Sequence, residues 1–334
     1  MISLVSKNDF TKIKREALLD HDAYHEEAED FLTRIPRAAK KLSDPEWREG
    51  REIDDFWRLT EARAEYALDL LTLSYSAGVD IRSLKDFFPK VLDYFEEYAL
   101  YSEALNETPE GIRNPGPHIA ICDVEFDRAN RLLCFAILLG YQRAIPRIMA
   151  IIDYNNPMRD GMLERLAARY VERVGPMPVD CTRHLPYYKT LAIFSASEEK
   201  RAELMREYLA DWYEASRREP YYGAHDIGNQ FLGYWSWEAA AITIALDIDD
   251  RTYKDVLFYP RDMVDFAKQN ASDGKDDVGA IPVDVRAKAG EKCPVEGFWQ
   301  SIGVPAQRVH YEQGAELRDL RSPYGLTVWR LMQE

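Results

Sequence analysis

The chain is poor in cysteine. Four cysteines, Cys122, Cys134, Cys181 and Cys293, are spread over 334 residues without a CxxC pair. That excludes a disulfide framework and fits reduced thiols in a cytosol. Long apolar runs are also missing. The longest, LLCFAILLG at 132–140, is too short to span a bilayer. The opening MISLVSKNDFTKIK has no apolar segment of the kind a secretory signal needs. A soluble, cytoplasmic protein is expected, with no membrane partner. Positive charge is in deficit too: 43 bases against 58 acids leave a formal charge of −15. Such a surface repels phosphate backbones and disfavours nucleic acid; it favours a basic protein partner, or simply solubility. Catalytic signatures are absent as well. The sequence shows no glycine-rich phosphate loop, no nucleophile elbow, no repeated Glu-x-x-His and no basic patch interleaved with aromatics.

What is present is helix. With 46% hydrophobic residues the chain can bury a sizeable core. In FWRLTEARAEYALDLLTLSY, Phe56, Leu59, Tyr66, Leu70 and Leu73 recur at helical spacing; KDFFPKVLDYFEEYALYSEAL repeats the pattern with Phe88, Leu92, Phe95, Ala99 and Leu105. Further helices are predicted at about 124–141, 144–153, 160–173, 187–195 and 198–217, between turn signals such as NNP and VGPMP. The stretches 77–95 and 245–266 echo one another: a helix end, an aspartate turn, Lys-Asp, aromatics, Pro and a second helix. Two hairpins of similar build are expected, each proline in a first helical turn. After about residue 270 the periodicity fades. The expected organisation is an all-α helical bundle or hairpin array over 1–270 (halves 1–150 and 151–270), a linker over 271–289, and a small β-rich appendage of two to four strands over 290–334.

The densest stretch is FLGYWSWEAAAITIALDIDD, 231–250, in which Glu238 is the only charge between Asp226 and Asp247. Trp235, Ala239, Ile242 and Leu246 fall on one helix face; Trp237, Ala241 and Ile244 fall on another. A helix apolar almost all round is buried, and its single acid must be paired or hydrogen-bonded. The structural reading of Glu238 therefore outweighs a catalytic one, which needs a second acid or a histidine at a fixed offset. His225 lies upstream in a turn-like YYGAHD and reads as a packing or capping residue.

These residues carry a resemblance. REPYYGAHDIGNQFLGYWSWEAAAITIALDIDDRTYKDVLFYPRDMVDFAK resembles the signature half of PoNi-type immunity proteins, antidotes to PoNe-type DNase toxins of polymorphic and type VI secretion systems. The matching pieces are YYGAHD, GYWSWEAAA, the DIDD turn, YKD and FYPRDMVDFA, which include His225, Trp235, Trp237, Glu238 and Asp249. The helical N-terminal half looks like the companion region of that family. The pieces GEKCPVEGFW, YEQGAEL and YGLTVWRLM are similar to a small module appended to other toxin-immunity proteins. The resemblance implies a helical protein that binds and blocks a cognate nuclease, with no catalytic residues, no metal and no cofactor, and a motif that maintains the fold.

A nuclease presents a basic surface, so exposed carboxylates are the natural counterpart. On the second long helix Asp93, Glu96, Glu103 and Glu107 follow one stripe, flanked by Glu97; the Gly/Pro-rich loop beyond it adds Glu110, Asp123, Glu125 and Asp127. These nine are the candidate partner-binding residues, against the alternative of an ordinary solvated face. Tyr98 and Tyr101 are possible aromatic anchors or core. Two other functions stay open: a helical metal hydrolase, from His21, His25 and Glu29 one turn apart or from His225 with Glu238, and a scaffold for an unrelated partner. The nearby pair Cys181 and His184 is weak evidence for a nucleophile.

Overall fold

The computed structural model describes residues 2–227, 230–273, 285–302, 307–320 and 327–332. Fourteen α-helices, two short 3-10 helices (Gln142–Ala144 and Tyr187–Lys189) and a four-stranded sheet make up the regular structure of these residues. The helices are α1 (Lys7–Ile13), α2 (His21–Ser43), α3 (Pro45–Arg48), α4 (Ile53–Ser76), α5 (Ile81–Asn106), α6 (Pro109–Arg113), α7 (Phe126–Leu138), α8 (Ile145–Asp153), α9 (Gly161–Ala167), α10 (Thr190–Ser195), α11 (Glu198–Ala215), α12 (Ala224–Ile227), α13 (Trp237–Ala245) and α14 (Arg261–Asp273).

Local chemistry sets the helix starts. Asp20, Asp80 and Asp160 cap α2, α5 and α9 with side-chain bonds to first-turn amides. Thr108-Pro109 and Asp44-Pro45 place a capping side chain before a proline in the first turn. Helices α4 and α5 form a long hairpin with α2 laid on α4, while α7 lies against α13 at the centre. From Ala129 to Leu138 every residue of α7 is buried. One hydrophobic core runs through both sequence halves, from Ile2 to Ala267.

The echo between 77–95 and 245–266 holds only in outline. In the first copy α5 starts directly after Asp80, so Pro89 lies inside the helix rather than in its first turn. The interior proline is accommodated because the carbonyl it releases, that of Lys85, accepts a bond from the Tyr141 hydroxyl at 3.0 Å. In the second copy residues 251–258 form turns, and α14 begins just after Pro260. Helix α13 is also shorter than its apolar run: it starts at Trp237, and Trp235 lies in the segment that enters it. The Ser236 amide bonds the Phe258 carbonyl and so leaves the helical ladder.

The sheet comprises β1 (Arg286–Lys288), β2 (Gly297–Ile302), β3 (Arg308–Tyr311) and β4 (Val328–Leu331), all antiparallel, in the order β1-β4-β2-β3. The segment expected as linker, 271–289, contains the end of α14 and strand β1; 274–284 lie outside the described residues. A small core of Val285, Ala287, Cys293, Trp299, Tyr311, Leu317 and Trp329 fills the sheet's inner side. The sheet is fastened to the helices by charge. The Arg286 amide bonds the Lys14 carbonyl and its guanidinium reaches the Leu257 and Tyr259 carbonyls. Lys14 meets Glu291 at 3.1 Å, and Arg330 meets Asp255 at 2.7 Å.

Candidate functional site

Helix α13 delivers Glu238 to the centre of the bundle. Its Oε1 accepts from Tyr208 Oη at 2.6 Å, Trp212 Nε1 at 2.7 Å and Ser236 Oγ at 2.6 Å; its Oε2 accepts from Asn130 Nδ2 at 3.2 Å. Two donors come from α11, one from α7 and one from the residue before α13. Four neutral donors satisfy the buried carboxylate, which makes it the tie between these elements. The adjoining cavity, walled by Thr72, Asn130, Arg131, Trp235 and Trp237, measures about 70 Å³. That space suits a few waters and no organic substrate.

The other motif residues serve the same packing. Trp235 donates to Ser76 Oγ at 2.8 Å and stands edge-on to Tyr75; Trp237 packs against Phe135 and Tyr75. His225 Nδ1 lies 2.6 Å from the Tyr234 hydroxyl. In the DIDD turn the roles divide. Asp249 is exposed and pairs with Arg251, which holds its carboxyl at about 2. Asp250 is buried, bonded to Lys268 at 2.6 Å and to Tyr259 at 3.2 Å.

Sequence reasoning missed a second buried knot. Lys14, Arg15 and Glu16 are three successive charges, all buried. Arg15 pairs with Asp262 and donates to the carbonyls of Tyr75 and Val79 at 2.8 and 2.9 Å, so the chain before α2 is fastened to α14 and to the α4–α5 turn. Glu16 accepts from the Tyr234 and Leu18 amides, and burial pushes its carboxyl up. A run of charges reads as solvated surface, and nothing in its spacing signals otherwise. Arg131 on α7 is similar: it is buried, pairs with Asp69 and Asp127 at 2.7 Å, and supports the wall of the small cavity.

The nine candidate partner-binding acids are found in three states: paired with a cation, bonded to a backbone amide, or exposed. Asp93 and Glu96 face Arg147 of α8, Glu96 in a two-pronged contact at 2.6 Å. Glu97 pairs with Arg63 of α4, and Glu103 lies 3.4 Å from His118 Nε2. Glu125 accepts from the Ala120 amide at 2.8 Å, and Asp127 is taken up by Arg131. Glu110 pairs with Arg113 at the surface, while Glu107 and Asp123 are exposed. Tyr98 is buried and Tyr101 half-buried. Tyr98 donates to the His118 carbonyl at 2.7 Å, and Tyr101 stacks on Phe56.

The remaining chemical candidates disperse. The His21 and His25 rings are 5.7 Å apart, and each histidine engages an acid: His21 with Asp22 at 3.0 Å, His25 with Glu29 at 3.6 Å. Among the described residues no three such side chains gather as a metal site. Burial pushes the Cys181 thiol up, and His184 turns to Asp180.

Two family models match the chain. Residues 15–150 match the N-terminal model of PoNe immunity proteins (PoNi), and 158–263 match the C-terminal model of the same proteins. The chain belongs to the PoNe immunity protein family. The PoNi matches take in Glu238, its four donors and the Arg15–Asp262 knot; the four-stranded sheet lies beyond both. No curated protein matches the sequence. Among solved structures, protein PA2201 from Pseudomonas aeruginosa is similar at 18% identity with a TM-score of 0.63, over 79% of this chain and 95% of that one. That likeness speaks for the fold. No helix among the described residues is long and apolar enough to cross a membrane.

Proposed function

We propose that this chain is the cytoplasmic antidote to a PoNe-type DNase toxin, delivered by a type VI or related polymorphic system, and that it acts by binding rather than by turnover. The PoNi match over both halves carries this reading. The state of Glu238 supports it: the most buried acid of the signature stretch is saturated by hydrogen bonds and opens on a cavity too small for a substrate. A nuclease must be basic where it holds phosphates, and a chain of net charge −15 complements such a surface. The acids Asp93, Glu96, Glu97, Glu103, Glu107, Glu110, Asp123, Glu125 and Asp127 are proposed to steer that encounter.

Co-expression is the direct test. The nuclease encoded beside this chain should kill cells alone and spare them when the chain is present, and the two should co-purify. Reversing Glu96, Glu103 and Glu107 to lysine should slow association about tenfold at low salt and flatten its salt dependence. Protection by a variant that cannot bind the toxin would defeat the proposal.

A further inference from the structure

Exposed hydrophobic side chains are concentrated on this molecule. Among the described residues, most of the large ones lie in three connecting segments that are bonded to one another: Ile112, on the short helix α6, and Val124 in the first, Met158 in the second, Val174, Met177 and Val179 in the third. Val174 and Val179 are 88% and 84% exposed. Flexible polar loops would hide or omit such residues.

These loops are not loose. Asn156 joins the first two, donating to the Ile119 carbonyl at 2.7 Å and accepting from the Ile121 amide at 3.3 Å. Thr182 Oγ1 donates to the Ile121 carbonyl at 2.7 Å, tying the first loop to the third. Arg159 donates to the Val174 carbonyl at 2.8 Å, and Arg165 to the Pro178 carbonyl at 2.7 Å. Side-chain hydrogen bonds thus hold an apolar surface in fixed shape without covering it. On one side, Val179 and Tyr188 form the lip of a groove of about 690 Å³ whose far wall is Leu204, Glu207 and Asp211 of α11. On the other, Met158 and Val174 border a second hollow of about 360 Å³.

A preorganised apolar ridge between two hollows is the anatomy of an interface centre, where anchors are rigid and binding loses little entropy. Charge selects the occupant. Glu107, Glu110, Asp123, Glu172 and Asp180 are exposed in and beside these loops; of the exposed basic side chains there, Arg113 is taken up by Glu110, Arg169 donates to the Ala245 carbonyl at 3.1 Å, and His184 faces Asp180. Leu100, 65% exposed on α5, sits within the acidic stripe that runs into the first segment. An apolar centre with an acidic rim fits a basic partner with apolar anchors of its own.

We propose that the loop surface around Ile112, Met158, Val174 and Val179 is where the nuclease docks, with the α5 acids steering and the loop residues providing the lasting contact. This rests on the antidote reading above. The test measures binding of a catalytically inactivated PoNe-family nuclease, taken from the neighbouring gene, to the full chain. A triple variant, Val174→Ser with Met177→Ser and Val179→Ser, should weaken binding about 100-fold. It should melt close to the wild type, since Val174 and Val179 are already in water and Met177 is more than a third exposed. Phe298→Ser, at an exposed position of the sheet rather than of these loops, should bind as wild type. A triple variant that binds within about threefold of wild type would place the nuclease elsewhere and leave the antidote reading standing. Self-association abolished by the triple variant, with nuclease binding unchanged, would reassign the surface to a second copy of this chain. A wild-type chain that fails to bind the nuclease at all would overturn the antidote reading and this surface together.

Discussion

At the scale of single residues, buried charge is used here as fastening, and the fastenings differ in their dependence on pH. Glu238 is held by neutral donors. Glu164 on α9 is held by cations: Arg173, at 2.7 and 2.9 Å, and Arg159 each donate to both of its oxygens. Burial pushes the Glu164 carboxyl up, but the bonds to Arg173 and Arg159 outweigh it and bring the group down to about 2. The unfolded chain titrates this carboxyl near its ordinary value of 4.5. The folded state therefore binds the proton more weakly, so the stabilisation is complete above pH 4.5 and is lost as pH falls from there toward 2. Glu164→Gln should lower stability at pH 7 by about 2 kcal/mol, the modest side for a broken pair because Arg159 is partly exposed. Urea melts of wild type and variant should converge as pH falls through that window; a constant gap would show that the carboxylate's charge is not what stabilises.

At the scale of elements, the sequence was most readable where one period governs a long segment. The paired α4 and α5, the buried α7 and the apolar α13 were all visible as helical spacing, because each hides a stripe or a whole circumference. The ends of elements were less readable, since they depend on partners far away in sequence. Pro89 stays inside α5 because Tyr141, 52 positions on, donates its hydroxyl to the stranded Lys85 carbonyl. Trp235 stays outside α13 because Phe258 claims the next amide. The family motif was legible as sequence, while the loop anchors Val174 and Val179 were not, since isolated valines on either side of a Pro-Met-Pro turn carry no period. Gly233 shows how tightly the entry to α13 is fixed. It has φ of +101°, and a Cβ there would collide with the Ser76 hydroxyl and the Trp235 indole nitrogen. Gly233→Ala should cost on the order of 2–3 kcal/mol and shift the tryptophan emission; Ala tolerated without change in melting would mean that the turn relaxes freely.

At the scale of the whole molecule, the question is whether the sheet is an appendage or part of the body. Among the described residues its own core is seven buried side chains around Trp299 and Trp329, a small core for a part that would stand alone. Its links to the helices are buried or half-buried at the helical end. Lys14 is almost wholly enclosed, with its ammonium on the Ala17 and Leu19 carbonyls and on Glu291. Val328 packs on Ala17 and Leu257, next to the carbonyl that Arg286 engages. The same segment continues into Arg15 and Glu16, which hold α14 and the entry to α13. Loss of the sheet would therefore strip the cover from a charged knot that organises the signature half, so the two parts should unfold together. Calorimetry of the full chain should show one transition whose van't Hoff and calorimetric enthalpies agree. Glu291→Gln, which leaves the Lys14 ammonium facing a neutral amide, should move that whole transition down by about 1–2 kcal/mol rather than split off a low-temperature shoulder. Two separated transitions, with the tryptophan-rich sheet melting first and the helical body unaffected, would show the sheet to be an independent passenger.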